Sequence, residues 1–158
     1  MNKLELRQVI LAQLQHKLSV AISSAQRAME SATDEETVPE HKYDTLALEA
    51  SYLAHGQAVR VQECEQEIRQ LTELYMPNEP ESVVLGSLVS LLDLDDKRKQ
   101  FFVSPCAGGL KVDYDEQSIM LVTFDSPLGR ALKAKQIGDE VIYHVGDSEH
   151  SYEIENID

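Results

Sequence analysis

The stretch Ala32-Thr-Asp-Glu-Glu-Thr-Val-Pro-Glu-His-Lys-Tyr-Asp44 stands between two long runs of helical periodicity. It holds acids, one proline and no large aliphatic residue except Val38, the composition of a turn and not of a core segment. On its amino-terminal side, Leu4, Leu11, Leu18, Ala25 and Ala32 recur in heptads, and Leu14, Ala21 and Ala28 make a second row. Two such rows form the a and d seam of a coiled coil, with Arg7 its polar exception. No glycine or proline precedes Pro39, so one helix can run to the acidic stretch.

The carboxyl-terminal side repeats the pattern. Ala47, Ala54, Val61, Ile68 and Tyr75 form one row and Ala50, Gln57, Cys64 and Leu71 the other, with Gly56 the weak point. Met76-Pro77 ends this run, because a residue before proline is pushed out of the helical region. Folded antiparallel, the runs bring Leu4 opposite Tyr75, Leu11 opposite Ile68, Leu18 opposite Val61, Ala25 opposite Ala54 and Ala32 opposite Ala47. That register puts the bend near Pro39 and Glu40. Each arm, at about 28 residues, is on the order of 40 Å long. The expected object is a slender hairpin whose tip, near residues 34–44, presents Asp34, Glu35, Glu36, Glu40 and Asp44. Two helices of a larger bundle are the plain alternative. Few large aliphatics lie outside the seam to hold a third helix.

Composition narrows the partners. The chain of 158 residues carries 14 Lys+Arg against 28 Asp+Glu, a net charge of −14, so it is repelled by phosphate backbones and anionic lipid. No independent nucleic-acid binding is expected, and a charged partner should offer basic groups or metal ions. No apolar run approaches the roughly 20 residues of a membrane span. The polar start Met1-Asn-Lys-Leu-Glu-Leu-Arg-Gln8 does not read as a secretory signal. Cys64 and Cys106 lack metal-ligand spacing, and so do His16, His41, His55, His144 and His150. A cytoplasmic protein with reduced thiols, monomeric and not membrane-bound, is the expectation.

Beyond residues 77–81, a linker flanked by Met76 and containing Pro77 and Pro80, the periodicity becomes strand-like. Ser82 to Leu94, Gln100 to Val103, Met120 to Phe124, Glu140 to Val145 and Ser151 to Glu155 read as five strands, with a charged turn at Asp95 to Lys99. Ser126-Pro-Leu-Gly-Arg-Ala-Leu132 reads as one helix, because Ser126 can cap its free amides and Pro127 suits the first helical position. The sequence therefore predicts an α+β protein with a coiled-coil hairpin at 1–76 and a small sheet domain at 82–158. No His and Asp partners or nucleophile elbow accompany Ser126, so it is read as structural and not as a nucleophile.

Three segments in this second half resemble landmarks of the Gre family of bacterial transcript-cleavage factors. They are Val83-Val-Leu-Gly-Ser-Leu-Val-Ser-Leu-Leu-Asp-Leu-Asp95, Ser126-Pro-Leu-Gly-Arg-Ala-Leu132 and Ile137-Gly-Asp-Glu-Val141. Their order and spacing match, and so does a hairpin over the first 75 residues, making this a divergent member. The resemblance implies a coiled coil followed by an FKBP-like domain. It implies docking of that domain on the rim of the RNA polymerase secondary channel, with the coiled coil entering the channel. At the tip, the resemblance implies acids that help hold the second Mg²⁺ of the polymerase active site, so that the polymerase itself cuts backtracked RNA. The chain would then be an accessory factor and not an enzyme, with no cofactor of its own. Hard oxygen ligands and a two-metal site suit that chemistry. By this reading Glu40 and Asp44 assist cleavage, Glu40, Asp44 and Glu36 touch the metal within the polymerase complex, and Ser126, Pro127, Arg130 and Lys133 contact the partner.

The tip departs from the family pattern Gly-Asp-Leu-x-Glu-Asn-Ala-Glu-Tyr. Pro39 stands for the glycine, Glu40 for the Asp and Tyr43 for a Glu, while Asp44 falls one residue late, about 100° around a helix. A channel-entering regulator that competes with other factors and does not stimulate cleavage is therefore the second reading, and a solvated charged turn is the plain one. A third, from the FKBP-like fold, is a prolyl isomerase. With no Trp and 6% aromatic residues, the chain is poorly supplied for a proline pocket. The basic clusters Lys97-Arg98-Lys99 and Arg130, Lys133, Lys135 suit either docking or ordinary solvation.

Overall fold

The computed structural model describes residues 1–33 and 45–158, with side chains at 1–31 and 48–158. The expected bend at Pro39, the tip acids Glu36, Glu40 and Asp44, and Tyr43 and His41 lie outside the described residues. Two helices, α1 (Lys3–Thr33) and α2 (Thr45–Glu73), precede a sheet domain built from β1 (Leu88–Leu92), β2 (Arg98–Val103), β3 (Lys111–Tyr114), β4 (Gln117–Val122), α3 (Pro127–Leu132), β5 (Glu140–Val145) and β6 (Ser148–Ile157). The fold is α+β, as the sequence predicts. Its described residues divide into two compact units, one formed by Met1–Leu11 with Gln70–Asp158 and the other by Ala12–Arg69.

Within Ala12–Arg69 the expected seam is largely present. Leu14, Ala21 and Ala28 are buried on α1 and Cys64 on α2, while Leu18, Ala25, Ala54 and Val61 are half-buried. Lys17 of α1 pairs with Glu67 of α2 at 3.6 Å. Alanines in this seam allow close backbone approach at small cost in buried apolar area.

In the other unit the register departs from expectation. Leu71 is buried as the seam requires, but Leu4 and Tyr75 are both exposed, and Leu6 and Ile10 are fully buried in their place. The α2 helix stops at Glu73, before the anticipated Met76. The polar exception in the heptads explains the stop. Arg7 sends Nη1 to the Leu74 carbonyl at 2.8 Å and to that of Thr72 at 3.5 Å, covering carbonyls that a helix end leaves without amide partners. Asn2 caps the start of α1, its Oδ1 accepting from the amides of Leu4 at 3.0 Å and Glu5 at 3.3 Å. Lys3 is 9% exposed, and its ammonium donates to the Pro77 carbonyl and, at 3.1 Å, to that of Gly86. Burial, opposed by the charge of Asp158, pushes the Lys3 pKa below its ordinary value.

The sheet order is β3-β4-β2-β1-β6-β5, with β2 and β4 parallel and every other neighbouring pair antiparallel. Six strands form where five were expected. The missed one, β3, is joined to β4 through Asp115 and Glu116, both at positive φ (53° and 60°). A two-residue turn of that hand is usually announced by Asn-Gly or Asp-Gly, and the sequence offers no glycine there. The predicted strand from Ser82 is also shorter in fact. Gly86 at φ 85° breaks the run, and Val83 instead bonds through its amide to the Lys135 carbonyl at 2.8 Å. The charged turn loses its last two residues to β2, which begins at Arg98. Its bend is set by Asp93, whose carboxylate accepts from the amides of Lys97 and Asp95, each at 2.9 Å, and is held below the usual carboxylate range chiefly by the Lys97 bond.

A bulge in β6 between the partners of Ser90 and Leu91 leaves Glu155 the extra residue. The Arg98 guanidinium grips that carboxylate with two bonds, at 2.5 and 2.6 Å. One face of the sheet carries the main core, including Val89, Leu91, Val103, Val141 and Ile154, closed by Leu128 and Leu132 of α3. The other carries Leu88, Phe102, Val112, Ile119 and Leu121, all buried.

Tyr114 of β3 donates to a Glu5 carboxylate oxygen of α1 at 2.5 Å. That bond, followed by burial and nearby negative charge, pushes its pKa from 10.0 to about 12. A phenol whose folded pKa is raised contributes stability that is complete below pH 10 and is lost as pH rises through about 12. The difference in tyrosinate absorbance between the chain and its Tyr114→Phe variant should accordingly titrate near 12, and Glu5→Ala should return it toward 10.0. A titration at 10 with Glu5 intact would show that the bond does not form in solution.

Candidate functional site

The segment Thr123 to Lys133 is shaped by five residues. The Ser126 hydroxyl donates to the Thr123 carbonyl at 2.8 Å and accepts from the Gly129 amide at 3.0 Å, capping α3. Pro127 follows at the first helical position, where no amide donor is needed. Leu128 and Leu132 turn into the core. Gly129 decides the packing, because a Cβ there would lie 1.7 Å from the Thr123 carbonyl oxygen and 2.9 Å from Phe124 Cα. Only a residue without a side chain lets α3 rest on the backbone that leads into it.

This seat fixes where the expected contact residues stand. Ser126 is half-buried with its hydroxyl engaged in the cap, and Pro127, Arg130 and Lys133 are exposed. Arg130 reaches back to the Asp125 carbonyl at 2.9 Å, and the Lys133 ammonium lies 5.4 Å from the centre of the Phe124 ring. Pro127, Arg130 and Lys133 are thus brought to one short surface. The acids Glu36, Glu40 and Asp44 lie outside the described residues, and among the described residues no group of His, Cys, Asp and Glu is arranged to hold a metal ion.

Beside α3 opens a cleft of about 1130 Å³. Phe101, Met120 and Leu128 make its floor, and Tyr143, His150 and Tyr152 line one wall. The wall is a stack, with ring centres 5.0 Å apart from Tyr143 to His150 and 6.1 Å apart from Tyr143 to Tyr152. Burial, then hydrogen bonding with Tyr152, pushes the Tyr143 phenol up to about 12. Lys99 lays its ammonium 5.5 Å from the centre of the Tyr152 ring and 3.5 Å from its hydroxyl. Sequence reading missed this wall. Alternation in Val141, Tyr143, Val145 and in His150, Tyr152, Ile154 was its signal, but only the pairing of Tyr143 with His150 and of Val141 with Tyr152 makes the rings neighbours.

A pair of long helices followed by a six-stranded mixed sheet with one capped helix defines an α+β architecture with a helical amino-terminal arm. The model of the carboxyl-terminal domain of the transcription elongation factors GreA and GreB matches residues 76–158. The chain belongs to this GreA/GreB family. Among solved structures it is similar to GreA factor homolog 1 (Gfh1) of Thermus thermophilus, at 21% identity over 94% of each chain with a TM-score of 0.38. It is similar to Gfh1 of Thermus aquaticus, at 19% identity over 92% of each chain with a TM-score of 0.40. A GreA/GreB factor of Nitrosomonas europaea matches at 18% identity over 60% of this chain and 78% of its own, with a TM-score of 0.36. No curated protein sequence matches significantly. Among the described residues no helix is long and apolar enough to cross a membrane.

Gly129→Ala should displace α3 and lower stability by roughly 3 kcal/mol in chemical denaturation. Ser126→Ala, which removes one capping bond and leaves the packing, should cost about 1 kcal/mol. Equal effects would mean that the close backbone approach at residue 129 is not a constraint in solution.

Proposed function

We propose that this chain is an accessory factor of bacterial RNA polymerase that docks through its sheet domain, enters the secondary channel with its helical hairpin, and stimulates the polymerase to cleave backtracked RNA. The observation that carries the reading is the GreA/GreB match over residues 76–158, within which α3 exposes Pro127 and Arg130, and Lys133 is exposed at its carboxyl cap. The family is one of transcription elongation factors, and the two long helices supply the kind of arm that channel entry requires.

In the cleavage step the nuclease centre belongs to the polymerase. Glu40 and Asp44, with Glu36 beside them in sequence, would bring carboxylate oxygens to the second Mg²⁺ and orient the attacking water, leaving this chain without a resident metal. A second reading, a channel-entering regulator without cleavage activity, is favoured by Tyr43 at a position where the family pattern has an acid.

Stalled, backtracked elongation complexes separate the two. Under the first reading, added protein raises the rate of transcript shortening, and Glu40→Ala or Asp44→Ala each lowers that stimulation by at least about tenfold. If the protein binds polymerase but shortening stays at the rate of polymerase alone, cleavage is excluded and the second reading stands. If it does not bind polymerase, both fall.

A further inference from the structure

We infer that α2 carries a second packing face whose occupant is the α2 helix of a second copy of this chain, laid antiparallel. At about 100° per residue, Leu48, Tyr52, His55 and Val59 fall within about 60° of one another, on the side of α2 opposite Ala54, Val61 and Cys64. All four are exposed, Leu48 by 53%, Tyr52 by 69% and Val59 by 40%. Gln62 and Gln66 extend the row, and its alternating steps of four and three residues are those of a coiled-coil seam. No Asp, Glu, Lys or Arg falls in the row, although the chain carries −14. Water gives no reason for such a row, since the outer face of a solvated helix is where its charges ordinarily lie.

Gly56 points the same way. A Cβ there would have nothing within 4 Å among the described residues, so packing inside the chain does not call for the glycine, as it does at Gly86 and Gly129. Glycine inside a helix weakens it relative to alanine. Gly56 borders the row on one flank, and Ser51 and Ala58 border it on the other. These small residues let a second helix come close to the row from both sides.

Self-complementarity selects the occupant. In an antiparallel pair, the register that sets Leu48 opposite Val59 of the second copy also sets Tyr52 opposite its His55, and the two-fold axis repeats both contacts. In that register Glu49 of each copy lies on the same flank as Arg60 of the other, about 3 Å away along the axis. Two ion pairs therefore border the contact. A parallel pair keeps Glu49 and Arg60 of opposite copies apart, on the order of 17 Å along the axis. The four-residue row also spans only about 17 Å, less than a permanent dimer needs, so the pairing is reversible. Two chains of −14 repel each other, and salt screens that repulsion more than it weakens two exposed ion pairs, so pairing tightens as salt rises. None of this depends on the polymerase reading.

Sedimentation velocity of the full chain over a wide range of concentrations tests the pairing. The average mass should climb from the 17.7 kDa of one chain toward twice that value, and at lower concentration in high salt than in low. Tyr52→Glu with Val59→Glu, two exposed positions outside the buried seam, should lower the association constant at least about tenfold. Gly56→Gln should raise the melting temperature of the chain and still weaken pairing about threefold or more. If the Tyr52 and Val59 variant loses helix content by circular dichroism, Gly56→Gln, which favours helix, decides by itself. Glu49→Arg and Arg60→Glu should each weaken pairing about threefold, and the two together, which leave the net charge unchanged, should restore it. A mass that stays at one chain at every concentration overturns the inference, and so does pairing indifferent to the Tyr52 and Val59 substitutions in a helical variant. Pairing that loosens as salt rises belongs to a charge-driven contact elsewhere and overturns it as well. Charge reversals that merely add, or a Gly56→Gln chain that pairs as tightly as the wild type, overturn the antiparallel register on which the inference stands.

Discussion

Helix α3 lies against the Thr123–Phe124 backbone because residue 129 has no Cβ, and the placement of every exposed group on that side follows from this contact. A methyl group there would sit 1.7 Å from the Thr123 oxygen, a separation that no side-chain rotation relieves. With the helix seated, Leu128 and Leu132 fill the core and Pro127, Arg130 and Lys133 are left exposed. Ser126 then spends its hydroxyl twice on the backbone, which fixes the helix start without drawing on distant parts of the molecule. A surface patch is thus specified by one missing atom and one satisfied hydroxyl.

The first turns of α1 show a second use of polar groups in place of apolar contact. Lys3 and Arg7 turn their charged ends to the main chain. They cover the main-chain carbonyls of Pro77, Gly86, Leu74 and Thr72, at the point where α2 ends and the chain enters the sheet domain. Carbonyls left without donors in a buried or half-buried setting cost more than a typical hydrogen bond gains, so these two side chains stabilise chiefly by removing a penalty. A glycine at residue 86 allows the approach, since a Cβ there would meet the Tyr75 carbonyl oxygen at 2.6 Å.

The heptads of the two arms were legible because packing of one helix on one other leaves a strict period, and Leu14, Ala21, Ala28, Cys64 and Leu71 are buried as that period requires. It misled at Leu4 and Tyr75, which are exposed while Leu6 and Ile10 are buried; here Lys3 bonds to Gly86 and Glu5 to Tyr114 of β3, contacts that a two-helix period does not contain. Strand β3 was illegible because its turn uses Asp115 and Glu116 in a conformation that composition assigns to glycine or asparagine. The α3 segment was readable down to its cap and its proline, whereas the reason for its glycine needed the Thr123 backbone in three dimensions. Least readable was the aromatic wall. Tyr143, His150 and Tyr152 belong to adjacent strands, and period-two alternation names the residues that share a face without naming their neighbours.

The central ladder has a temporal consequence. Strand β1 is bonded on one side to β2, close in sequence, and on the other to β6, where Val89 faces Ile157 and the Leu88 and Asp158 main chains exchange two bonds of 2.8 and 2.9 Å. Lys3, from the opposite extreme of the numbering, bonds to the Gly86 carbonyl just before β1. Emerging from the ribosome, the helices can gain local bonds at once, but the sheet must wait for β6 before its middle strand is paired on both sides. Until then the strand of Leu88, Val89 and Leu91 is paired on one side only, an open edge of the kind that promotes association between chains.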